Sequence, residues 1–274
     1  MDSQSADSLE EEEQTTALLA KLAPQLVDAP RVPATMGADK RVFFVGQDYL
    51  LRIPRHDMVC QRLEVERRVL RRLEGRLCLA TPRLVAVDRE TGADLCVKAP
   101  GHVVDWRAWG KLGRSGRAKL GRSFGRFLAE LHAEIPVTEA LNMGVPEYGL
   151  TDSVFLEDRL ATVMKVGQRR NLLRAVLAAL PRLGKATREP VLLHDDFSHH
   201  NIGFELPGMK AVGVFDFGGA QVGDPHRDLR YDPGLEGDER LVVEEYEAAG
   251  GQPISRARQR AWHALSALEN LIHS

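Results

Sequence analysis

The sequence is short of cysteine, of long apolar runs and of excess charge, and each shortage argues against a class of protein. The three cysteines, Cys60, Cys78 and Cys96, are widely spaced and include no CxxC pair, which argues against a disulfide framework and a zinc site. The N-terminus has no basic region followed by an apolar run, and no stretch approaches about 18 uninterrupted apolar residues. We therefore expect a cytoplasmic protein that is neither secreted nor membrane-spanning.

Positive and negative charges nearly cancel, since 37 Lys and Arg stand against 39 Asp and Glu and leave a formal net charge of -2. This balance gives no general reason to expect nucleic-acid or membrane binding, so any attraction for a charged ligand must be local. With 274 residues and 43% hydrophobic content, the chain can form one large domain or two lobes around a buried core. Residues 1–16, with the acidic run Glu10–Glu13, are interpreted as a polar tail or the charged first turn of a helix.

The first hundred residues predict strands around one helix. Apolar runs on either side of a Gly46–Asp48 turn predict a β-hairpin over residues 42–53. Leucines at a spacing near 3.6 predict a helix over residues 61–77. Two further strands are predicted at residues 84–87 and 95–97.

Pro100–Gly101 breaks this pattern, and the sequence beyond it is mainly helical apart from a second apolar hairpin between Val191 and Val214. The predicted fold class is α+β, with an antiparallel N-lobe sheet beside one main helix and a mainly helical C-lobe. The chain is predicted to divide into a tail of residues 1–16, an N-lobe of residues 17–97, a hinge of residues 98–103 and a C-lobe of residues 104–274.

The most informative segments are His194-Asp195-Asp196 with Asn201, and Asp216-Phe217-Gly218. In kinase-type phosphoryl transfer an Asp accepts the proton of the substrate hydroxyl, an Asn shortly after it binds metal, and a second Asp holds Mg²⁺ against the nucleotide phosphates. His194, Asp196 and Asn201 meet the spacing H-x-D-x-x-x-x-N, and Asp216 begins a DFG element. We predict Asp196 as the catalytic residue and Asn201 and Asp216 as Mg²⁺ ligands, with a structural role for His194.

Two other classes of function compete with this interpretation. The pair His199-His200 beside carboxylates could indicate a zinc or iron site, or a metal-dependent hydrolase using His194, but adjacent histidines diverge and no HExxH motif is present. A pseudokinase or binding module would keep the fold while losing Asp196, Asn201 or Asp216, and all three are present.

These motifs, together with the later Gly223–Leu229 segment, resemble the signature of the aminoglycoside phosphotransferase and related small-molecule kinase superfamily, over about residues 33–232. The resemblance implies a two-lobed, protein-kinase-like fold and a structural support role for Asp228. Members typically carry Gly where this chain has Asp195. Arg52–His56 and Asp196–Ser198 look similar to the aminoglycoside 2″-phosphotransferase branch.

The resemblance also implies a nucleotide site in the N-lobe, where a strand cation reaches the phosphates and a helix carboxylate holds it. Arg52 and Glu66 are the candidates. The helical spacing turns Glu66 toward the sheet and Glu64 toward solvent. Arg52 departs from the usual lysine, and Gly37–Val42, in the place of the nucleotide-covering loop, holds only one glycine.

The hinge is the remaining part of this implied nucleotide site. Its backbone groups around Val97 and Ala99 are expected to recognise a purine edge, and ATP and GTP fit equally. Mg²⁺ with ATP or GTP is therefore the expected cofactor set.

The acceptor implied by the resemblance is a small-molecule hydroxyl, most simply that of a cationic aminoglycoside antibiotic in a resistance enzyme. An acidic cleft near Asp196 would gather its ammonium groups. The candidate acids are Asp232, Glu236, Asp238 and Glu239, with Glu157 and Asp158 as a second group. Homoserine, choline, a sugar or another antibiotic is the alternative acceptor, and a monomer or homodimer is expected.

Overall fold

The computed structural model describes residues 3–34, 39–105, 111–149, 178, 183, 189–230 and 239–273. Its helices are α1 (Ser3–Leu22), α2 (Asp57–Leu73), α3 (Arg114–Glu134), α4 (Val137–Asn142), α5 (Glu239–Ala248) and α6 (Arg256–His273). Its strands are β1 (Arg31–Pro33), β2 (Lys40–Val45), β3 (Tyr49–Pro54), β4 (Arg83–Val87), β5 (Asp94–Val97), β6 (Val191–Leu193), β7 (Ile202–Glu205), β8 (Lys210–Val214) and β9 (Gln221–Gly223). The predicted α+β class is confirmed.

The N-lobe is a five-stranded antiparallel sheet in the order β1-β2-β3-β5-β4. The predicted hairpin is β2–β3, with Val45 paired to Tyr49 and Lys40 paired to Pro54. Gly46 closes the turn at a φ of 59°, in the left-handed region that favours glycine. The sequence therefore predicted the hairpin and the position of its turn.

The two faces of this sheet meet different helices. Side chains alternate along a strand, so Phe43 and Leu51 share a core with Leu19 of α1, whereas Arg52 points to α2 on the other face. Helix α1 begins at Ser3, so most of the segment interpreted as a polar tail is helical in the structure.

Helix α2 lies four residues earlier than the sequence predicted, from Asp57 to Leu73. Gly75 has a φ of 68°, which a continuing helix cannot accommodate, so the predicted end at residue 77 was wrong. The helix is tied to the C-lobe, because Arg72 donates hydrogen bonds to Glu139 Oε1 at 2.8 Å and to the Glu134 carbonyl at 2.9 Å. After it, Ala80 exchanges backbone hydrogen bonds with β8.

The segment after β5 packs against the β7–β8 hairpin. His102 and Phe204 exchange backbone hydrogen bonds at 2.9 Å. A Cβ atom on Gly203 would lie 2.1 Å from the Pro100 carbonyl oxygen, and one on Gly101 would lie 2.5 Å from the Phe204 nitrogen. Only glycine permits this close approach.

The C-lobe core forms around α3. One face of α3 is buried at helical spacing, at Phe124, Phe127 and Leu131. The helix also packs closely on α5 at Gly125, where a Cβ atom would lie 2.3 Å from the Val242 carbonyl oxygen. Phe197 of the loop after β6 stacks on Phe127 with ring centroids 5.2 Å apart. In the described part of the chain, no helix is both long and apolar enough to cross a membrane.

A hairpin lies within the span predicted for the second one, as β7–β8, but β6 is not part of it. Strand β6 pairs with β9, which lies beyond the DFG element, while β7 pairs with β8. The two segments singled out in the sequence therefore lie in the connections between these two small sheets, one from β6 to β7 and the other from β8 to β9. The two connections meet at the candidate active site.

Candidate active site

Asp196 and Asn201 form one hydrogen-bonded unit in the loop after β6. The Asn201 side-chain amide donates to the Asp196 carboxylate at 2.8 Å and to the Asp196 carbonyl at 2.9 Å. The Ser198 backbone N–H also donates to the Asp196 carbonyl, at 2.8 Å. Asp196 is exposed, while Asn201 is buried. The loop thus presents a fixed carboxylate to the solvent.

Asn201 and Asp216 lie at adjacent ends of the β7–β8 hairpin. The Phe215 N–H donates to the Asn201 carbonyl at 3.0 Å, one pair beyond Ile202 and Val214 in the ladder. Because the Asn201 amide nitrogen bonds Asp196, its amide oxygen is the group left to act as a ligand. The structure therefore brings together the three residues predicted as the centre of the site.

The Asp216 side chain is 48% exposed and projects from a backbone in the left-handed region, with a φ of 64°. Partial burial by itself would raise the pKa of Asp216, but the Lys40 ammonium beside it outweighs that effect and lowers the pKa. The carboxylate is thus ionised at neutral pH, as a metal ligand must be.

His194 lies beneath the loop and is fully buried. Its Nδ1 accepts a hydrogen bond from the Asp196 N–H at 3.3 Å, so its Nε2 carries the proton donated to the Phe215 carbonyl at 3.1 Å. The ring also packs on Phe217, with centroids 4.5 Å apart. His194 joins the loop of Asp196 to the backbone directly before Asp216, which agrees with the structural role predicted for it.

Asp228 supports the same loop from below. Its carboxylate accepts the backbone N–H groups of His194 and Asp195, both at 2.8 Å, and His132 Nε2 at 3.0 Å. Burial by itself would raise the pKa of Asp228. The hydrogen bond from His132 is the largest of several effects that oppose burial, and together they lower the pKa. Asp228 has the contacts expected of a supporting residue.

Asp195, the departure from the family pattern, adopts the left-handed conformation that glycine favours, with a φ of 67°. Its carboxylate accepts hydrogen bonds from Arg227, from Arg230 at 3.0 Å and from Gln221 at 2.8 Å. Burial raises the pKa of Asp195, and the two arginines act against that shift. Asp195 thereby ties the loop to the segment after β9. This contact was not predicted from the sequence.

Arg52 and Glu66 are paired, as the sequence predicts, but within a larger buried network. Arg52 donates to Glu66 at 2.6 Å and to both oxygens of Asp94 at 2.8 and 2.9 Å, and Arg67 donates to Asp94 at 2.7 Å. Glu66 is 1% exposed, whereas the Glu64 side chain is 45% exposed, as their spacing predicts.

Burial by itself would lower the pKa of Arg52, but Glu66 and Asp94 outweigh it and raise the pKa, so the guanidinium stays charged. Asp94 and Arg67 were missed in the sequence. Asp94 is cross-strand to Arg52 in β5, and a distant strand pairing is not readable from local pattern.

Lys40 also reaches the site and was missed. Its Nζ lies 3.2 Å from Asp216 Oδ1 and 3.8 Å from Glu66 Oε2. The hairpin register could have identified Lys40 from the sequence. Val42 pairs with Arg52, and Lys40 lies two residues from Val42 on the same strand, so Lys40 is on the same sheet face as Arg52. The site thus joins residues of both lobes.

A known protein family matches most of this chain. The model of the APH phosphotransferase enzyme family matches residues 30–266. The chain belongs to this family. The enzyme class expected from the sequence, a phosphotransferase with an alcohol group as acceptor, is confirmed by that membership. No curated protein matches the chain.

Solved structures of similar fold include aminoglycoside and macrolide phosphotransferases. The GDP and kanamycin complex of aminoglycoside 2″-phosphotransferase IIIa has a TM-score of 0.78 at 21% identity, over 94% of this chain and 89% of that one. The streptomycin and ATP complex of aminoglycoside 2″-phosphotransferase IIa has a TM-score of 0.70 at 20% identity, over 95% and 90%. A macrolide 2′-phosphotransferase from Brachybacterium faecium has a TM-score of 0.69 at 23% identity, over 93% and 90%. The two-lobed, kinase-like fold is confirmed.

Several predicted residues of this phosphotransferase lie outside the part of the chain that the structure describes. Asp232, Glu236 and Asp238 lie outside the described residues, as do Glu157 and Asp158. Glu239 begins α5, and its side chain is outside the described part. Residues 35–38 of the predicted nucleotide-covering loop are also outside it. The predicted hinge positions are described: Val97 ends β5 beside Tyr49, and Ala99 is buried next to Gly213.

The histidine pair does not diverge as expected. The His199 and His200 rings lie 3.7 Å apart between centroids in the short 3-10 turn that ends at Asn201. Among the described residues, no group of three or more His, Cys, Asp or Glu is placed to hold a metal ion together.

Proposed function

We propose that the protein transfers the γ-phosphoryl group of a magnesium nucleotide to a hydroxyl of a small molecule. The observation that carries the proposal is the hydrogen bond of 2.8 Å from the Asn201 amide to the Asp196 carboxylate, in a loop bonded to the strand before Asp216. This linkage holds a candidate base and two candidate metal ligands in one rigid unit. Phosphoryl transfer depends mainly on such positioning and on electrostatic stabilisation.

Asp196 is the proposed catalytic residue. One carboxylate oxygen accepts the Asn201 amide, which fixes the side chain while the other oxygen is available to a substrate hydroxyl. An exposed carboxylate at that position would orient the hydroxyl for in-line attack and take its proton late in the reaction. This role asks for a fixed position more than for strong basicity.

Asn201 and Asp216 are the proposed Mg²⁺ ligands. Their available atoms are an amide oxygen and an ionised carboxylate, and oxygen donors are what this hard cation prefers. The donor set therefore fits magnesium. When bound, the metal would neutralise charge on the nucleotide phosphates, while the hairpin of Asn201 and Asp216 keeps the two ligands in register.

The nucleotide is proposed to lie between the hinge and the N-lobe sheet. Val97 and Ala99 supply the hinge backbone for a purine edge, and Arg52 with Glu66 organises the phosphate side of the cleft. Similar structures were determined with GDP and with ATP, which supports a purine nucleotide donor and leaves ATP and GTP to be tested separately.

The proposed acceptor is a cationic aminoglycoside, with antibiotic resistance as the biological role. The kanamycin and streptomycin complexes among the similar structures support this choice, and Asp232, Glu236, Asp238 and Glu239 are the proposed acidic contacts. The similarity to a macrolide 2′-phosphotransferase supports a second candidate, the hydroxyl of a macrolide.

A nucleotide-consumption screen tests the proposal. ATP and GTP would be supplied separately, with Mg²⁺ or with EDTA, against aminoglycosides, macrolides, homoserine, choline and simple sugars. We expect metal-dependent turnover with an aminoglycoside. Turnover with a macrolide alone would replace the acceptor, and no turnover with any compound would refute the substrate assignment.

Variants test the residue roles in the same assay. Asp196→Ala should lower kcat by about 100- to 10,000-fold, the range for loss of a general base, and leave nucleotide binding intact. Asp216→Ala should instead weaken Mg²⁺-dependent nucleotide binding. Glu205→Ala is the matched control, because Glu205 is an exposed acid at the far end of β7. Equal loss in Glu205→Ala would show that the effect of Asp196→Ala is not specific.

A further inference from the structure

The charged side chains of the N-lobe cleft form an inner and an outer layer. The inner layer consists of Arg52, Arg67 and Asp94, all buried, together with the Oε1 atom of Glu66. The outer layer is the pair formed by Lys40 and Asp216, at 3.2 Å. The two layers differ in what they can offer to a ligand.

Arg52 is committed to the inner layer. Its guanidinium makes three hydrogen bonds to the carboxylates of Glu66 and Asp94, and the side chain is buried. To contact a phosphate, it would have to leave two buried carboxylates, and breaking a buried ion pair is strongly unfavourable. Arg52 is therefore suited to fixing Glu66 and poorly suited to binding a mobile ligand.

Lys40 has the opposite properties. Its side chain is 20% exposed, and its ammonium lies beside the predicted metal ligand Asp216. An ammonium on a flexible stem has three N–H donors and can turn to a phosphate oxygen without losing a planar, two-pronged geometry. Lys40 also begins β2 and lies within Gly37–Val42, the segment in the place of the nucleotide-covering loop.

Glu66 serves both layers with different oxygens. Oε1 accepts Arg52, while Oε2 is buried and accepts no hydrogen bond from any described residue, with Lys40 Nζ at 3.8 Å. A Cβ atom on Gly218 would lie 3.4 Å from Asp216 Oδ1, 3.7 Å from Glu66 Oε2 and 3.8 Å from Lys40 Nζ. Three charged atoms thus converge beside a residue without a side chain.

We infer that Lys40, on β2, is the cation that contacts the nucleotide phosphates, and that Arg52, on β3, acts as a positioning residue that holds Glu66. This inference rests on the proposed function and changes the role first expected of Arg52. Glu66 is still the carboxylate partner of the cation. The cation, however, is now Lys40 of β2 and not Arg52 of β3.

The test measures how the affinity for nucleotide depends on its phosphates. Dissociation constants for adenosine, Mg·ADP and Mg·ATP, and for the guanosine series, would be measured by calorimetry with wild type and Lys40→Met. Loss of one charge-assisted contact corresponds to roughly 10- to 100-fold in affinity. We expect Lys40→Met to lose this factor for the triphosphate and to bind the nucleoside as wild type does.

Arg41→Met is the matched control, because Arg41 is the next residue along β2 but points to α1, where it contacts Glu11 and Gln14. It should bind every nucleotide as wild type does. Lys40→Arg should recover most of the triphosphate affinity. Should Lys40→Met not fold, as judged by its urea midpoint, Lys40→Gln takes its place.

The outcomes separate the two proposals. If wild type binds magnesium nucleotides and Lys40→Met binds the triphosphate equally well, the inference about Lys40 is wrong and the proposed function stands. If wild type binds no magnesium nucleotide, both fail. An equal loss of affinity for nucleoside and triphosphate would also overturn the inference, since it would place the effect at the purine.

Discussion

Replacing Arg52 should reveal that this residue contributes mainly to stability. Arg52 makes three charge-assisted hydrogen bonds of 2.6, 2.8 and 2.9 Å to Glu66 and Asp94. At about 1.5–3 kcal/mol each, their simple sum would be about 4.5–9 kcal/mol. That sum is an upper bound, because contacts in one network are not additive.

Two neighbours reduce the effect of the Arg52→Met substitution. Asp94 keeps its hydrogen bond from Arg67 at 2.7 Å, and Glu66 keeps Lys40 at 3.8 Å, so neither carboxylate is left wholly without a cation. We therefore expect a loss of about 3–5 kcal/mol, the range for removing one partner of a buried ion pair. This is a large part of the stability of an ordinary domain.

Arg52→Lys separates charge from geometry. Lysine keeps the positive charge but cannot bond both oxygens of Asp94 as the guanidinium does, so we expect a loss of about 1.5–3 kcal/mol. Arg62→Met is the control, because Arg62 is exposed and lies 3.6 Å from the equally exposed Asp39. Such surface pairs contribute at most about 1 kcal/mol.

Equilibrium unfolding in urea measures all three variants. The free energy of unfolding would be extrapolated to zero denaturant with the slope fitted separately for each variant, so that a change in compactness is recognised as a change in slope. The expected order of destabilisation is Arg52→Met, then Arg52→Lys, then Arg62→Met. A loss below about 1 kcal/mol for Arg52→Met would refute the reasoning, since it would mean that the buried network contributes no more than a surface pair.

Three further predictions concern the loop, the hinge and pH. Asp228→Asn should destabilise the protein by about 3 kcal/mol in urea and lower kcat, because the amide cannot accept the three donors that Asp228 accepts; a wild-type kcat would contradict the support role. Gly203→Ala should unfold at a much lower temperature in calorimetry, since its Cβ atom would lie 2.1 Å from the Pro100 carbonyl oxygen. An unchanged Tm would show that β7 can move away from Pro100 at no cost. Asp94 and Asp228 have folded pKa values lowered from 3.8, so their contribution to stability is present above that value and is lost as pH falls through the lower folded pKa. The urea midpoint should therefore fall steeply below about pH 4, less steeply in Asp228→Asn.

Local pattern predicted the parts of the site that lie close together in the chain. The spacing from His194 to Asn201 identified a loop whose members are hydrogen-bonded to one another, and helical periodicity oriented Glu66 toward the sheet. Both depend on short-range geometry, which residue spacing encodes directly.

Long-range pairing was not predictable in the same way. Nothing local indicates that β6 pairs with β9 across the β7–β8 hairpin, or that Asp94 lies cross-strand to Arg52. Lys40 is an intermediate case, because the register of the β2–β3 hairpin follows from its turn and places Lys40 on the same sheet face as Arg52. The acidic cluster beginning at Asp232 remains a prediction.

The attachment of α2 to the C-lobe affects how this enzyme can be controlled. Arg72 bonds Glu134 and Glu139 in the C-lobe, so the helix that carries Glu66 cannot swing away from Asp216 without breaking these contacts. The chain beyond the helix is held as well, where Ala80 pairs with β8. Kinases that are switched on and off by rotating this helix need it to be loosely held. Here the helix is anchored from the start, and we expect an enzyme that is constitutively assembled, showing no lag before steady-state turnover and needing no activating modification.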